Sequence, residues 1–330
     1  MALLNQTEMR YFTPKIISTF FFIFSISVLQ AQYTETINSN RPGASQGAFS
    51  VGTGIYQVEA GAYFGNDYHA LRKSDTDIWG TDYSLRIGLF FEALEINLSG
   101  AFQGETTTIQ MGGRDAEFKR SNFKSNTLGV KYMVFDPFVS IEPDKPNLYS
   151  WKANQRFKWK TLIPAVAVYA GANFSLGDNP YLYPGEQPFS PKFALITQHN
   201  WRGSWVLVTN IIADKLSEDN PSFVGIFTLT HAFTPKFAAF AEYQAILSDI
   251  YADDLARTGV AFLIGDHLQF DVSGLINFKN TPTRWQVAAG FSYRIDRHKD
   301  EETLNESTEG DYRRLRSQKF KEEEPIENKE

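Results

Sequence analysis

Eight charged side chains interrupt stretches in which apolar and polar residues alternate. Arg86, for example, lies between Leu85 and Ile87. Successive side chains of a β-strand point to opposite faces, so each charge faces away from its apolar neighbours. On the lipid face of a membrane barrel an Arg or Lys at mid-membrane costs about 2–4 kcal/mol, which predicts that these charges face the lumen. The predicted lumen set has four acids and four bases: Glu59, Glu95, Glu242, Asp271, Arg86, Lys131, Arg257 and Arg294.

Two uses of this lumen set remain open from the sequence. The charges can form ion pairs and hydrogen bonds that fill and rigidify the barrel interior. Alternatively, some of them line a solute path and set its selectivity. Barrels of eight strands have filled interiors and barrels of sixteen to eighteen strands leave a water channel, so about twelve strands predict a narrow pore. A loop or the N-terminal segment would close such a pore easily.

The histidines show no spacing typical of a metal site. They are scattered over the predicted loops, strand ends and tail: His69, His199, His231, His267 and His298. Neither a Gly-x-Ser-x-Gly elbow nor a Walker loop is present. A barrel hydrolase would need a Ser/His or Asp/His group at the outer surface, whereas His199 and His231 are predicted at the periplasmic rim. We therefore expect no enzyme activity, no catalytic residue, no metal and no cofactor.

The stretches that carry the charges alternate with a period of two, which is typical of outer-membrane β-barrel strands. Twelve segments have this signal, although the sixth to eighth are too apolar for their faces to be assigned. They predict an all-β fold, a transmembrane antiparallel up-and-down β-barrel: 54–65, 79–90, 93–103, 123–135, 161–175, 191–200, 204–212, 222–232, 236–247, 254–264, 267–279 and 284–295. Alternation also fits a half-buried sheet, so a soluble secreted β-sandwich is the structural alternative.

The connections between these segments alternate in length. The second, sixth, eighth and tenth are short, whereas most odd-numbered ones are longer and polar. Short turns on one rim and long loops on the other indicate a bacterial outer-membrane barrel with both termini in the periplasm. The fourth connection, residues 136–160, is long where a short turn is expected. Either the strand count misses a hairpin there or the chain has a periplasmic insertion, which we favour. The eleventh connection, residues 280–283, is short on the loop side.

Composition and the chain ends define the remaining organisation. Basic residues followed by an apolar run predict a signal peptide at residues 1–31, cleaved after Ala31; a membrane anchor is the alternative, but the run is short for a span. Residues 32–53 form a periplasmic N-terminal segment, 54–295 the barrel, and 296–330 a disordered, charged periplasmic tail. Aromatic residues make up 15% of the 330 residues, which suits strands and interfacial girdles. The formal net charge of −6 argues against a nucleic-acid partner.

A series of short motifs runs in order through residues 38–295. They are Asn40-Arg41-Pro42-Gly43; Ile55-Tyr56-Gln57-Val58-Glu59-Ala60-Gly61; Leu85-Arg86-Ile87-Gly88-Leu89 with Glu95; Leu128-Gly129-Val130-Lys131; Phe240-Ala241-Glu242-Tyr243; Leu268-Gln269-Phe270-Asp271; and Gly290-Phe291-Ser292-Tyr293-Arg294. Their order and spacing resemble the transporter-like outer-membrane proteins grouped as the "MetA-pathway of phenol degradation" family, in which the first motif is Asp-Arg-Pro. Asn40 replaces that aspartate, which weakens any ionic role there. The resemblance implies a barrel that moves small, often aromatic or apolar, compounds; phenol itself does not follow from the family name.

The leading hypothesis is an outer-membrane barrel that forms a narrow channel or transporter for the uptake of small compounds. Three extracellular loops, at residues 66–78, 104–122 and 177–190, would gate entry. One alternative is a structural or interaction barrel with a plugged lumen, and another is an outer-membrane hydrolase. The expected partners are outer-membrane lipid, an unidentified small solute and the barrel-assembly machinery.

Overall fold

The chain forms twelve β-strands, one short helix and one 3₁₀ turn in a computed structural model that describes residues 36–111, 114–141, 149–150, 159–201 and 204–298. The strands are β1 (Ile55–His69), β2 (Ser74–Gly88), β3 (Leu94–Met111), β4 (Arg114–Phe135), β5 (Ala165–Phe174), β6 (Phe189–Trp201), β7 (Trp205–Asp214), β8 (Ser222–Thr234), β9 (Phe237–Leu247), β10 (Asp253–Ile264), β11 (Leu268–Asn277) and β12 (Thr283–Asp296). The helix α1 spans Pro137–Ser140, and the 3₁₀ turn spans Trp159–Leu162. The predicted signal peptide and the predicted tail beyond residue 298 lie outside the described residues.

The strands close into a single antiparallel barrel. Each strand pairs with its neighbours in sequence, and β1 pairs with β12 from Ile55 opposite Asp296 to Tyr68 opposite Thr283. Closure leaves no free sheet edge, so the strand backbone groups find their partners inside the sheet. The predicted twelve-strand up-and-down barrel is confirmed, and the β-sandwich is excluded. Among the described residues, no helix has the length and hydrophobicity that a membrane span requires.

The two faces of the barrel are inverted relative to those of a soluble protein. Along β12, Trp285, Val287 and Tyr293 are exposed on the outside (49%, 50% and 47%), whereas Ser292 and Arg294 are buried inside (0% and 2%). The alternation seen in the sequence therefore directs apolar side chains outward and polar side chains inward. Lipid solvates such an exterior, whereas water would not.

Aromatic side chains occupy both ends of this apolar exterior. Trp205 and Phe237 begin β7 and β9 at the rim that carries both chain ends of the barrel, and Phe223 and Trp285 lie near the first residues of β8 and β12 at the opposite rim. All four are exposed on the outer surface. Amphipathic rings at both edges of an apolar band are typical of membrane barrels.

Two of the predicted gating loops are strands in the structure. The turn between β1 and β2 comprises only residues 70–73, β3 continues to Met111, and β4 begins at Arg114. The predictions for residues 66–78 and 104–122 were therefore wrong. Both faces of these extensions carry polar side chains, because an antiparallel hairpin that leaves the apolar band can face water and needs no apolar alternation.

The long connection between β4 and β5 contributes no strand to the barrel. β4 pairs directly with β5, from Thr127 opposite Asn173 to Phe135 opposite Val166. After β4, the Asp136 carboxylate accepts a hydrogen bond from the Phe138 N–H (2.8 Å) and caps α1. The predicted count of twelve strands holds here. The eleventh connection is short, as predicted, because β11 ends at Asn277 and β12 begins at Thr283.

Candidate functional site in the barrel lumen

Four residues of the predicted lumen set form one buried ion-pair network on β1 to β4. The Arg86 guanidinium binds both carboxylate oxygens of Glu95 (2.8 and 2.9 Å) and lies 3.3 Å from Glu59. Lys131 lies 3.1 Å from the same Glu95. All four side chains are at most 2% exposed. The alternation in the sequence thus brings residues from four consecutive strands together, with the bidentate geometry that makes arginine–carboxylate pairs strong.

The other four members of the lumen set lie elsewhere on the inner wall. Glu242 and Arg257 are register partners on β9 and β10 and form an ion pair. Arg294 lies 3.0 Å from Asp296 on its own strand. Asp271 on β11 pairs with the N-terminal segment of the chain. All eight predicted charges therefore point inward, but they do not form one continuous lattice.

The N-terminal segment lies inside the barrel. Its described part, residues 36–53, is named the plug. The Ile37 N–H donates to the Asp266 carbonyl in the turn between β10 and β11 (2.9 Å), and the plug joins β1 at the same rim. Between these points its residues contact inward-facing side chains of β1, β4, β6, β7, β9 and β11. The sequence assigned residues 32–53 to the periplasm; the described part of that segment occupies the lumen instead.

Members of the lumen set satisfy the backbone of the plug. Four plug N–H groups donate to predicted carboxylates: Asn40 to Glu59 (3.2 Å), Ala44 and Ser45 to Glu242 (2.9 and 3.3 Å) and Val51 to Glu95 (3.1 Å). Three plug carbonyls accept from predicted bases: Asn38 from Arg86 (2.6 Å), and Gly47 and Phe49 from Lys131 (3.0 and 2.9 Å). An irregular segment has no ladder of its own, and a buried unpaired backbone group is costly. Five of the eight charges therefore supply the hydrogen-bond partners that a neighbouring strand supplies in a β-sheet.

Arg41 anchors the plug to the opposite wall. Its guanidinium makes two hydrogen bonds to the Asp271 carboxylate (3.1 and 3.0 Å) and pairs with Asp82. Gly61 on β1 and Gly290 on β12 are register partners beneath it. A Cβ atom added to either glycine would lie 2.2 or 2.3 Å from the guanidinium, so the absence of side chains at both positions makes room for Arg41. β1 and β12 thus form the recess for Arg41, and β11 and β2 provide the two acids.

The neighbouring residues of the motif at positions 40–43 shape the plug itself. The Asn40 side-chain oxygen accepts a hydrogen bond from the Gly47 N–H (3.0 Å), so the neutral amide closes the plug on itself. A Cβ atom on Gly43 would lie 2.6 Å from a carboxylate oxygen of Glu242, so a side chain at this position would displace that carboxylate. The N-terminal motif is therefore a plug motif.

Three neutral lumen residues that the sequence reasoning missed hold the middle of the plug. Gln198 on β6 accepts from the Ala48 N–H (3.0 Å), Asn210 on β7 bonds both backbone groups of Gln46 (2.6 and 2.9 Å), and Thr228 on β8 bonds Ser45 (2.7 Å). They lie on the sixth to eighth segments, whose faces the alternation left unassigned. Selecting charged residues alone overlooked them. The sequence feature that could have identified them is a polar side chain within an otherwise apolar strand.

The plug also buries apolar side chains against the inner wall. Ala48 is fully buried and Phe49 is 9% exposed. They belong to a cluster with inward residues of β4 to β6 and the turn before β3: Ala93, Met133, Ala165, Ala167, Tyr169 and Ile196. Burial of apolar surface adds a favourable term that the hydrogen bonds alone do not supply. The plug is therefore packed as well as hydrogen-bonded.

A cavity of about 1560 Å³ lies on the side of the plug away from the barrel's chain ends. Plug residues 40–41 and 43–46 form its floor, and polar wall residues such as Ser84, Asn97 and Asn173 line it. It reaches the opposite mouth, where residues of the β1–β2 turn and of the β5–β6 loop line it. The lumen is thus divided into a polar cavity and a segment filled by the plug.

The β5–β6 loop, residues 175–188, covers part of this mouth. The Tyr181 hydroxyl donates to the Gln103 carbonyl on β3 (2.9 Å), and the Arg120 guanidinium lies 4.7 Å from the centre of the Tyr181 ring. Burial, and then the negative charge of Glu105, raises the pKa of Tyr181 to about 12, while Arg120 opposes this rise. The hydroxyl therefore stays protonated and donates its hydrogen bond at neutral pH. Of the three predicted gating loops, the one at residues 177–190 falls on an irregular loop.

The rim histidines have structural neighbours. His199 bonds the Leu162 carbonyl through Nε2 (3.0 Å), and the His231 ring stacks on Trp205 with 4.2 Å between ring centres. Both lie near the rim that carries the barrel's chain ends, as the sequence predicted. Within the described ranges, no cluster of His, Asp and Glu has the arrangement of a metal site.

A closed barrel with an apolar exterior, aromatic ends and buried ion pairs inside defines a transmembrane β-barrel protein. Residues 39–295 match the family described as "Putative MetA-pathway of phenol degradation", and the chain belongs to that family. The resemblance noted in the sequence is thereby confirmed. The match begins within the plug, one residue before the plug motif, and ends in the last strand, so it includes most of the plug together with the barrel.

Solved structures with a similar fold share little sequence with this chain. The translocator domain of the autotransporter NalP from Neisseria meningitidis is 11% identical (TM-score 0.43), and the alignment covers 74% of this chain and 89% of that one. An outer membrane channel from Pseudomonas putida F1 is 9% identical (TM-score 0.47), with 78% and 100% covered. At these scores neither carries a conclusion about this chain. No curated protein sequence matches it.

Proposed function

We propose that the protein is an outer-membrane channel or transporter for the uptake of small molecules, with the plug as its barrier. The observation that carries the proposal is the cavity of about 1560 Å³, which reaches one mouth and ends on the plug. Ligand sites of small molecules occupy about 300–1,000 Å³, so the cavity has room for a small solute and water. The family description refers to phenol degradation, which supports small aromatic compounds among the solutes.

In this proposal the barrel lies in the bacterial outer membrane with both termini in the periplasm. The short turns lie at the rim of the termini, and the extended β1–β2 and β3–β4 hairpins lie at the other rim, as in outer-membrane barrels. The cavity then opens to the outside and the plug lies on the periplasmic side. A solute enters the cavity from outside and crosses when the plug moves.

The lumen charges have a defined task in this mechanism. They hold the plug through its backbone, so the closed state is specified by many moderate contacts and not by one. Such contacts exchange readily for water when the plug moves, because water can satisfy the same groups. The protein acts by binding and gating, without chemical conversion of the solute.

A reversible cross-link between plug and wall tests the proposal. The chain contains no cysteine, so an introduced pair is unambiguous. Ser45→Cys with Thr228→Cys joins the plug to β8, where the native side-chain hydroxyls lie 2.7 Å apart. The purified variant in liposomes is expected to pass small solutes, in swelling assays, when reduced and to lose most of this flux when oxidised.

Thr76→Cys with Thr107→Cys is the matched control. These residues are register partners on β2 and β3 with hydroxyls 3.0 Å apart, so their disulfide stays within the wall. Its oxidation should leave the flux unchanged. Equal flux through the oxidised and reduced plug variant would show that solute does not pass the plug. Folded protein without flux in either state would contradict transport and favour the plugged structural barrel.

A further inference from the structure

A local irregularity in β4 gives Lys124 a special place in the lumen. Ala101 pairs with Ser125 and Phe102 pairs with Phe123, so Lys124 has no partner on β3. This is a β-bulge, which re-aims side chains relative to regular alternation. The bulge lies where β4 borders the cavity, and Lys124 lines that cavity and is exposed to it.

Lys124 is held by a neutral group. Its ammonium donates to the side-chain oxygen of Gln103 (2.9 Å), and the Tyr63 hydroxyl donates to the same oxygen (2.9 Å). Within the part of the chain that the structure describes, Lys124 forms no ion pair with a carboxylate. An amide oxygen does not neutralise the ammonium charge. The ammonium of Lys124 therefore keeps N–H donors that are available to a molecule in the cavity.

The charged neighbours of Lys124 form ion pairs with one another and not with the Lys124 ammonium. The groups that act on it are Arg120, Arg284, Glu105 and Asp67. Arg120 pairs with Glu105 (2.6 Å), and Arg284 pairs with Asp67 (2.5 Å). Each acid that acts on Lys124 is therefore paired with an arginine, and neither is in contact with the Lys124 ammonium. A cationic group on the wall of a confined cavity attracts ions of the opposite sign.

We propose that Lys124 forms a binding subsite for small organic anions, in particular compounds that carry a carboxylate. The subsite rests on the proposed function and names the class of solute that the cavity selects. The carboxylate accepts a hydrogen bond from the Lys124 ammonium, and the remainder of the molecule occupies the cavity. A lysine presents a compact point charge, which suits a single carboxylate of variable orientation.

Equilibrium binding separates charge from shape. Benzoate and its neutral isostere benzamide serve as probes, measured by calorimetry on the purified full-length chain in neutral detergent at low salt. The wild type is expected to bind benzoate about tenfold or more tightly than benzamide, the effect of one charge-assisted hydrogen bond. Lys124→Gln should bring the ratio close to one, and Lys124→Arg should retain a preference for benzoate.

Lys236→Gln is the matched control, because it removes the same charge in the turn between β8 and β9, away from the cavity. Heat-modifiable gel migration verifies that each variant is folded. Equal binding of both probes to the wild type, no benzoate binding, or an unchanged preference in Lys124→Gln would overturn the subsite. Flux through the reducible plug variant is measured separately, so the subsite can fail while the channel proposal stands.

Discussion

Arg41 couples the plug to the wall through Asp271 and Asp82, above the recess that Gly61 and Gly290 provide. Breaking a buried ion pair by removing one partner costs about 3–5 kcal/mol, because the other charge stays unpaired. Removal of Arg41 would destabilise the plugged state in particular. Once the plug has left the lumen, water can hydrate Asp271 and Asp82. A single side chain therefore has a large influence on how long the plug stays in place.

Arg41→Gln is expected to favour the open state. The glutamine cannot form the two-pronged contact with Asp271 and carries no charge for Asp82, so conductance in planar bilayers should rise at least several-fold. Arg114→Gln, at the exposed start of β4, is the control and should behave as the wild type. Unchanged conductance of Arg41→Gln would show that Arg41 does not retain the plug.

Gly61→Ala should reproduce this effect while all three charged side chains of the ion pair remain in the protein. Its methyl group would lie 2.2 Å from the Arg41 guanidinium and displace it. Gly225→Ala is the matched control on β8, because its methyl group meets only Phe227 at 3.8 Å, an ordinary contact. Bilayer conductance should rise for Gly61→Ala alone. A rise of the same size in both variants would point to a general weakening of the barrel.

At the level of elements, the β5–β6 loop depends on the hairpin of β3 and β4. The loop has no regular structure, and its place over the cavity comes from contacts such as those of Tyr181 and of Asn179, whose side-chain amide donates to the Phe123 carbonyl (2.7 Å). The hairpin extends beyond the apolar band and gives the loop a surface to lie on. Loop and hairpin together therefore define the mouth of the cavity.

Tyr181→Phe should loosen this loop. It removes one hydrogen bond, worth about 1 kcal/mol, and keeps the ring over Arg120, so loop opening should increase about fivefold. Limited proteolysis with a glutamate-specific protease that cleaves after Glu186 measures the opening. Tyr183→Phe on the same loop, where the ring is 46% exposed, is the control. A wild-type cleavage rate in Tyr181→Phe would mean that the hydroxyl does not hold the loop.

The same contact has a defined pH dependence. Because burial raises the pKa of Tyr181 to about 12 from its ordinary value of 10, the folded state holds the proton more tightly than the unfolded state. Its stabilising contribution is complete below pH 10 and is lost as the pH rises through about 12. The difference in cleavage between wild type and Tyr181→Phe should therefore stay constant from pH 7 to 9.

At the scale of the whole molecule, the barrel has a polar interior that is neither empty nor uniformly filled. The plug occupies the part near the chain ends, and the cavity occupies the part near the extended hairpins. This asymmetry gives the molecule a direction, because a solute meets the cavity first from one side only. The proposed orientation in the outer membrane makes that side the extracellular one.

Cysteine labelling on intact cells checks this orientation. Leu71→Cys lies in the β1–β2 turn and Lys236→Cys in the turn at the opposite rim, and both positions are exposed. A membrane-impermeant maleimide should label Leu71→Cys on intact cells and label Lys236→Cys only after the outer membrane is permeabilised. The reverse pattern would place the termini outside and contradict uptake through the cavity.

Period-two alternation was sufficient to predict the barrel and the inward direction of charges such as Arg86 and Lys131. Both depend on local geometry, because the position of a residue in the alternation defines the face of the strand on which it lies. The plug was not predicted, since nothing in residues 36–53 alternates or forms a regular element. Gln198 and Asn210 were missed for a related reason: a neutral side chain in an apolar strand does not indicate what it binds.

The sequence by itself predicted the class of fold, about twelve strands and the inward face of the eight lumen charges, because lipid outside and water inside impose a pattern on the strands that span the membrane. The tertiary structure decided what those charges contact. It brought Glu95 on β3, Glu242 on β9 and Asp271 on β11 to one irregular segment, and it left Lys124 beside an open cavity. Contacts between residues far apart in sequence depend on barrel closure and register, which no local pattern encodes.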